Sequence, residues 1–206
     1  MEEKLFSILK LRFETVDAQK TIELSLELAQ LVKESGYKPE VIVCVNRGGM
    51  VIARLLSDFL EIRDVRSIRV EHYSIVEKEK KARVVEPLAN KLNGEKVLLV
   101  DDVADTGESL RVAKDYLLKN GASEVRIATL HYKPWSSIKP EYFIKQTDRW
   151  IIYFWEMAET AKYLAQKLEK ENLSKEEIKE ALIKELRIPE EIVEWVVDRN
   201  QKIIRD

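Results

Sequence analysis

The sequence predicts an α/β fold: a central, mainly parallel sheet flanked by helices, with a helical extension at the C-terminus. Three observations predict it. Short, continuously apolar runs alternate with amphipathic stretches. One such run ends in paired aspartates followed by a glycine turn and another helical stretch. Residues 157–206 contain no glycine and are dense in Glu, Lys, Leu and Ile. Strands that alternate with helices imply a parallel sheet, since parallel neighbours need a crossover between them.

The elements follow in order. Ile22, Leu24, Leu26, Leu28, Leu31 and Val32 form an apolar stripe at helical spacing, which Gly36 stops. Val41-Ile42-Val43-Cys44-Val45 is apolar throughout, as a strand buried on both faces requires. Asn46-Arg47-Gly48-Gly49 turns the chain into a second helix, Met50 to Leu60. Residues 73–86 carry a charge run in their middle and read most simply as a solvated hairpin. Val97-Leu98-Leu99-Val100 is another buried strand; it ends at Asp101-Asp102, and a helix begins near Thr106, runs to Lys119 and closes at Gly121. Val125 to Leu130 is the next strand, and Tyr142 to Ile144 and Trp150 to Phe154 are short ones. In the tail, Ser174-Lys175-Glu176-Glu177 is a capping box, and Pro189 occupies a first helical position. Two domains are expected: residues 1–157, and a tail of two or three short helices over 158–206.

Composition excludes several functions. Among 206 residues, 35 basic side chains against 37 acidic ones leave a formal charge of −2, which argues against broad nucleic-acid binding. The apolar run Trp150 to Trp155 is far too short for a membrane span. Two histidines and one cysteine cannot build a Cys/His zinc site within one chain. Cys44, the single cysteine, points to a reducing compartment. Met1-Glu2-Glu3-Lys4 opens without a signal-peptide pattern, so a cytoplasmic protein is expected.

The chemistry concentrates in Val97 to Leu110. A buried strand delivers Asp101 and Asp102 to its C-terminal end, where open α/β sheets bind ligands. Ala104, Asp105, Thr106, Gly107, Glu108 and Ser109 then make a tight turn into a helix start, whose amide N–H groups can hold a phosphate. Carboxylates beside an anion need hydroxyl groups or a hard cation to bind. Mg²⁺ suits this role, because it accepts one or two carboxylates together with substrate phosphates. A sugar phosphate with vicinal hydroxyls satisfies the whole arrangement. The plainer alternative for the acids is helix capping.

The full pattern of four apolar residues, Asp-Asp, two small apolar residues, Asp-Thr-Gly and a Ser two positions on closely resembles the phosphoribosyl-diphosphate (PRPP) motif of type I phosphoribosyltransferases. The likeness covers roughly residues 15–157. Val45-Asn46-Arg47-Gly48-Gly49-Met50 resembles the diphosphate loop of the purine-salvage branch; alone it would read as a Gly-rich turn with a solvated arginine. The resemblance also implies a strained or cis peptide near Asn46-Arg47 and a mobile lid in 73–86, where Tyr73-Ser74 reverses the family's order. Lys133 stands where bacterial xanthine–guanine phosphoribosyltransferases have a lysine on the purine 6-oxo group. Trp150-Ile151 matches their pair that stacks on the base and meets its edge through main-chain atoms; otherwise Trp150 is a core aromatic. Trp135, Trp155 and Trp195 are assigned to packing.

The resemblance thus implies a glycosyltransferase that moves ribose 5-phosphate from PRPP to hypoxanthine, guanine or xanthine. Asp105 would manage the purine N7 proton. Arg47 and Gly48 would hold diphosphate, residues 104–109 the 5-phosphate, and Asp101 and Asp102 the ribose hydroxyls, directly or through Mg²⁺, with Asp102 the metal ligand. The expected partners are PRPP, a purine and further copies of the chain, as a dimer or larger, with no nucleic acid and no membrane. The rival reading is a regulatory protein of the same fold that senses PRPP without transferring it.

Overall fold

The computed structural model describes residues 9–74 and 80–199. They form two compact units, one made of the described residues within 19–147 and the other of those before and after it. The division falls ten residues before the boundary expected at 157/158 and assigns the first strand to the same unit as the tail.

The larger unit holds a six-stranded sheet. Its strands are β2 (Val41–Asn46), β3 (Val65–Ser74), β4 (Lys80–Glu86), β5 (Lys96–Ala104), β6 (Glu124–Tyr132) and β7 (Tyr142–Gln146). They lie in the order β4-β3-β2-β5-β6-β7. Every pairing is parallel except β3 with β4, which closes an antiparallel edge. Helices α2 (Gly49–Leu60) and α3 (Glu108–Lys119) supply the crossovers from β2 to β3 and from β5 to β6, and α1 (Ala18–Glu34) leads into β2. The fold is therefore the α/β class read from the sequence.

The apolar runs explain the layering. Val41, Val43, Val45, Val97 and Leu99 share one core with Leu110, Ala113 and Leu117 of α3. The alternate residues Ile42, Cys44, Leu98 and Val100 point to the opposite face and are equally buried. Only part of the α1 stripe is used. Leu24, Leu28 and Val32, four apart, are buried, while Ile22, Leu26 and Leu31 are exposed. Alternation of apolar and polar residues through 22–28 places Ile22 and Leu26 off the buried face.

Two element boundaries differ from expectation in a way that matters. Strand β5 does not stop at the aspartates. It runs through them to Ala104, because its ladder with β6 continues to Ala104↔Tyr132. Helix α3 begins at Glu108, with Gly107 in left-handed conformation as its N-cap. The lid expectation over 73–86 falls partly on residues 75–79, outside the described residues; on either side, β3 and β4 pair as a hairpin.

The smaller unit pairs β1 (Phe13–Val16) with β8 (Trp150–Tyr153) in parallel. Helices α4 (Met157–Lys170), α5 (Lys175–Lys184) and α6 (Glu190–Arg199) complete it. Ile152 shares a core with Leu164, Leu168, Leu182 and Val193. The capping box forms: Ser174 Oγ accepts from the Glu177 amide at 3.2 Å, and the Ser174 amide donates to Glu177 at 3.0 Å. Pro189 lies one residue ahead of α6, its carbonyl accepting from Ile192 and Val193. Among the described residues no helix is long and apolar enough to cross a membrane.

Cys44 is 4% exposed, and burial raises its thiol pKa to about 11. A thiol with a raised pKa is neutral throughout the physiological range, and the thiolate is the reactive form. Native protein is therefore expected to resist alkylation at pH 8, with labelling only as the chain unfolds. Mass spectrometry of iodoacetamide-treated native and urea-unfolded protein measures this, and rapid native labelling would contradict the burial.

Candidate active site

The sheet brings the motif and the glycine loop together. Asp101 and Asp102 lie near the C-terminal end of central strand β5, beside the end of β2. The turn after β2 carries the cis Asn46-Arg47 peptide, followed by Gly48 and Gly49. The Gly49 amide donates to the Asp101 carboxylate, which also accepts from the Asp102 amide at 3.0 Å. A Cβ on Gly48 would stand 2.6 Å from Asp102 Cγ, so any side chain here would have to push the Asp102 carboxylate aside. Asp102 Oδ1 accepts from the Val103 amide at 2.7 Å. Burial, followed by the neighbouring Asp102 charge, pushes the Asp101 carboxyl well above the usual range.

The motif lines a cleft of about 960 Å³, walled by Asp101, Asp102, Val103, residues 105–111 and Ser137. The capping alternative is decided locally. Helix α3 has no side-chain cap, so neither paired aspartate serves as one. The Thr106 hydroxyl makes only a long 3.4 Å contact with the Glu108 amide. Gly107 has φ +81°, and a Cβ there would lie 2.7 Å from Ser136 Oγ and 2.8 Å from Ile138. The turn thus needs glycine both for its backbone angle and for the close packing of the 136–138 segment. An uncapped helix start opening into a cleft suits a phosphate group.

Sequence reasoning passed over Arg111 and Ser137. Arg111 lies one turn beyond Gly107, its amide donating to the Gly107 carbonyl at 2.9 Å. That four-residue spacing from the turn was the available signal. It places a cation on a cleft that otherwise carries Asp101, Asp102, Asp105 and Glu108. Ser137 donates from its amide and hydroxyl to the Thr106 carbonyl, at 2.9 and 2.7 Å.

Lys133 follows β6 and is 6% exposed. Its amide donates to the Ala104 carbonyl at 3.0 Å, which fixes it beside the motif. Arg47 is exposed on the loop after β2. Trp150 and Ile151 belong to the smaller unit, where Trp150 stacks on Tyr163 at 5.5 Å and Ile151 is buried. The packing assignment fails for two tryptophans: Trp135 is 56% exposed and Trp195 55%. Trp135 extends from the turn after Lys133, and its indole donates to Asp105 at 3.0 Å. Trp155 does pack, stacking on Tyr153 at 4.6 Å.

Comparison with known proteins agrees with this geometry. A family model described as a phosphoribosyl transferase domain matches residues 16–162. A xanthine-guanine phosphoribosyltransferase of Cereibacter sphaeroides is 31% identical over 120 residues, which is 57% of this chain and 69% of that protein. A crystal structure of a purine phosphoribosyltransferase from Pyrococcus horikoshii is 34% identical, covers 70% of this chain and 94% of its own, and superposes with a TM-score of 0.64. The Helicobacter pylori xanthine-guanine-hypoxanthine phosphoribosyltransferase is 28% identical, with coverage of 71% and 93% and a TM-score of 0.60. With the motif at the end of the central strand and the family match spanning most of the chain, this protein belongs to the phosphoribosyltransferase family.

Proposed function

We propose that the chain is a purine-salvage phosphoribosyltransferase that acts on 6-oxopurines: hypoxanthine, guanine or xanthine. Purine N9 attacks C1 of the PRPP ribose, the C1–O bond to diphosphate breaks, and diphosphate leaves with the bonding electrons. The observation that carries this reading is the juxtaposition in one cleft of an uncapped helix start and the Asp101-Asp102 pair. Amides suit the 5-phosphate, and carboxylates suit the ribose hydroxyls.

The amides and hydroxyls of residues 104–109 hold the 5-phosphate, with Arg111 adding charge. Asp101 and Asp102 accept from the ribose hydroxyls. Arg47 and the Gly48 amide hold the diphosphate as its charge develops. Asp105 accepts the purine N7 proton as N9 attacks. Lys133 meets the 6-oxo group. Trp150 and the main chain at Ile151 keep their assignment to the base, supported by the partial exposure of the Trp150 ring.

A Mg²⁺ ion fits the donor set. Among the described residues no cluster of three or more acid, histidine or cysteine side chains forms a metal cage. An ion taking Asp102 from the protein would complete its coordination with substrate oxygens and water, as Mg²⁺ does at phosphate sites. When bound it offsets diphosphate charge. In this reading the protein works in the cytoplasm as a dimer or larger assembly, with residues 1–157 as the catalytic domain and 158–206 as a helical extension.

The PRPP-sensing alternative uses the same phosphate site but has no use for Asp105 or Lys133. Incubation with PRPP, Mg²⁺ and a panel of free bases separates the two readings. Nucleotide and diphosphate are expected with hypoxanthine and guanine. PRPP binding without product from any base would favour the sensor.

A further inference from the structure

Trp135 occupies a place that nothing in the reading above explains. The segment after β6 folds back onto the motif turn and is held there by backbone. Lys133 donates to the Ala104 carbonyl, Ser137 donates twice to the Thr106 carbonyl, and Ser136 closes a turn on the Lys133 carbonyl at 3.0 Å. Trp135 sits at the crest of that turn. Its indole Nε1–H donates to Asp105 Oδ1 at 3.0 Å, and its ring lies 5.5 Å from Lys133 Nζ. Yet the side chain is 56% exposed, so packing gives little reason for a tryptophan here.

We infer that Trp135 is a positioning residue for Asp105 during transfer. The inference rests on the proposed role of Asp105 as acceptor of the N7 proton. Asp105 is itself exposed, in the turn between β5 and α3, and an exposed aspartate samples several rotamers. One N–H fixed by the braced 133–138 turn holds Oδ1 and leaves the second oxygen to face the proton. Restricting the acceptor to a productive geometry lowers the barrier without strengthening PRPP binding. The ring also faces the Lys133 ammonium, an attraction that ties two groups assigned to the purine to one side chain.

The test is a double-mutant cycle in the full-length protein, with Trp135→Phe and Asp105→Ala made singly and together. Phenylalanine keeps a ring face for Lys133 and removes the N–H. Trp135→Phe is expected to lower kcat by about 3- to 10-fold, the range of one net hydrogen bond, with KM for PRPP unchanged. In the Asp105→Ala background the same substitution is expected to change kcat less than about twofold, because no carboxylate remains to position. Equal losses in both backgrounds would overturn the inference, as would a rise in KM for the base with kcat unchanged, which is the mark of direct stacking on substrate. No loss at all from Trp135→Phe overturns it too. If Asp105→Ala itself leaves kcat intact, the Asp105 assignment falls and takes this inference with it. A large Asp105→Ala effect with no coupling to Trp135 removes the inference alone.

Discussion

Asp105→Asn is expected to lower kcat by ~10²–10⁴, the usual weight of a positioned general base. Asparagine keeps the size of the side chain and an oxygen that can accept from the Trp135 indole, so the turn should keep its shape. It cannot take the purine N7 proton. KM for PRPP is expected to change little, because the proposed phosphate site consists mainly of backbone amides at the start of α3, which has no side-chain cap to lose. Steady-state kinetics with hypoxanthine as the varied base measures both constants. An unchanged kcat would remove Asp105 from the chemistry. A raised KM for PRPP with kcat unchanged would instead make it part of the PRPP site.

The sheet was legible because burial on both faces demands unbroken apolar runs. Val41, Ile42, Val43, Leu98 and Leu99 are all fully buried, as their sequence required. The end of β5 was not legible. Asp101-Asp102-Val103 reads locally as a turn, and only pairing with β6 keeps it extended. Strand β1 was missed for the same kind of reason. Phe13-Glu14-Thr15-Val16 is short and half polar, and its partner β8 lies at the far end of the chain. The turn into α3 was legible because its glycine and hydroxyl residues are contiguous. By contrast, the approach of Gly48 to Asp102 joins distant segments, so the residues alone could not show it, and only the family likeness placed both loops in one site. Trp135 was misread because aromatic residues are usually buried, and its exposure is decided by how the 133–138 turn docks. The run of turn-forming residues around it, Pro134 and Ser136-Ser137, was the signal that it stands on a loop.

Lys133→Met is expected to collapse the discrimination between hypoxanthine and adenine. A lysine ammonium has three donors and no acceptor. It can donate to the 6-oxo group of hypoxanthine, guanine or xanthine, whereas adenine presents an amino donor at the same place. Lys133 is 6% exposed, so a donor facing a donor there has little water to relieve it. Unpaired buried polar groups are costly, and mismatches of this kind reach discrimination on the order of 10⁴-fold. Stacking cannot supply the selectivity, because every purine has a similar π-face. The backbone bond from Lys133 to Ala104 survives substitution by methionine, so the motif turn keeps its brace and the change is confined to the ammonium. The measurement is kcat/KM for both bases with wild type and variant. The wild type is expected to use adenine very poorly, and the variant is expected to lose activity with hypoxanthine until the two values approach each other. If the wild type uses adenine as well as hypoxanthine, or if the ratio survives Lys133→Met, another group reads the 6-position.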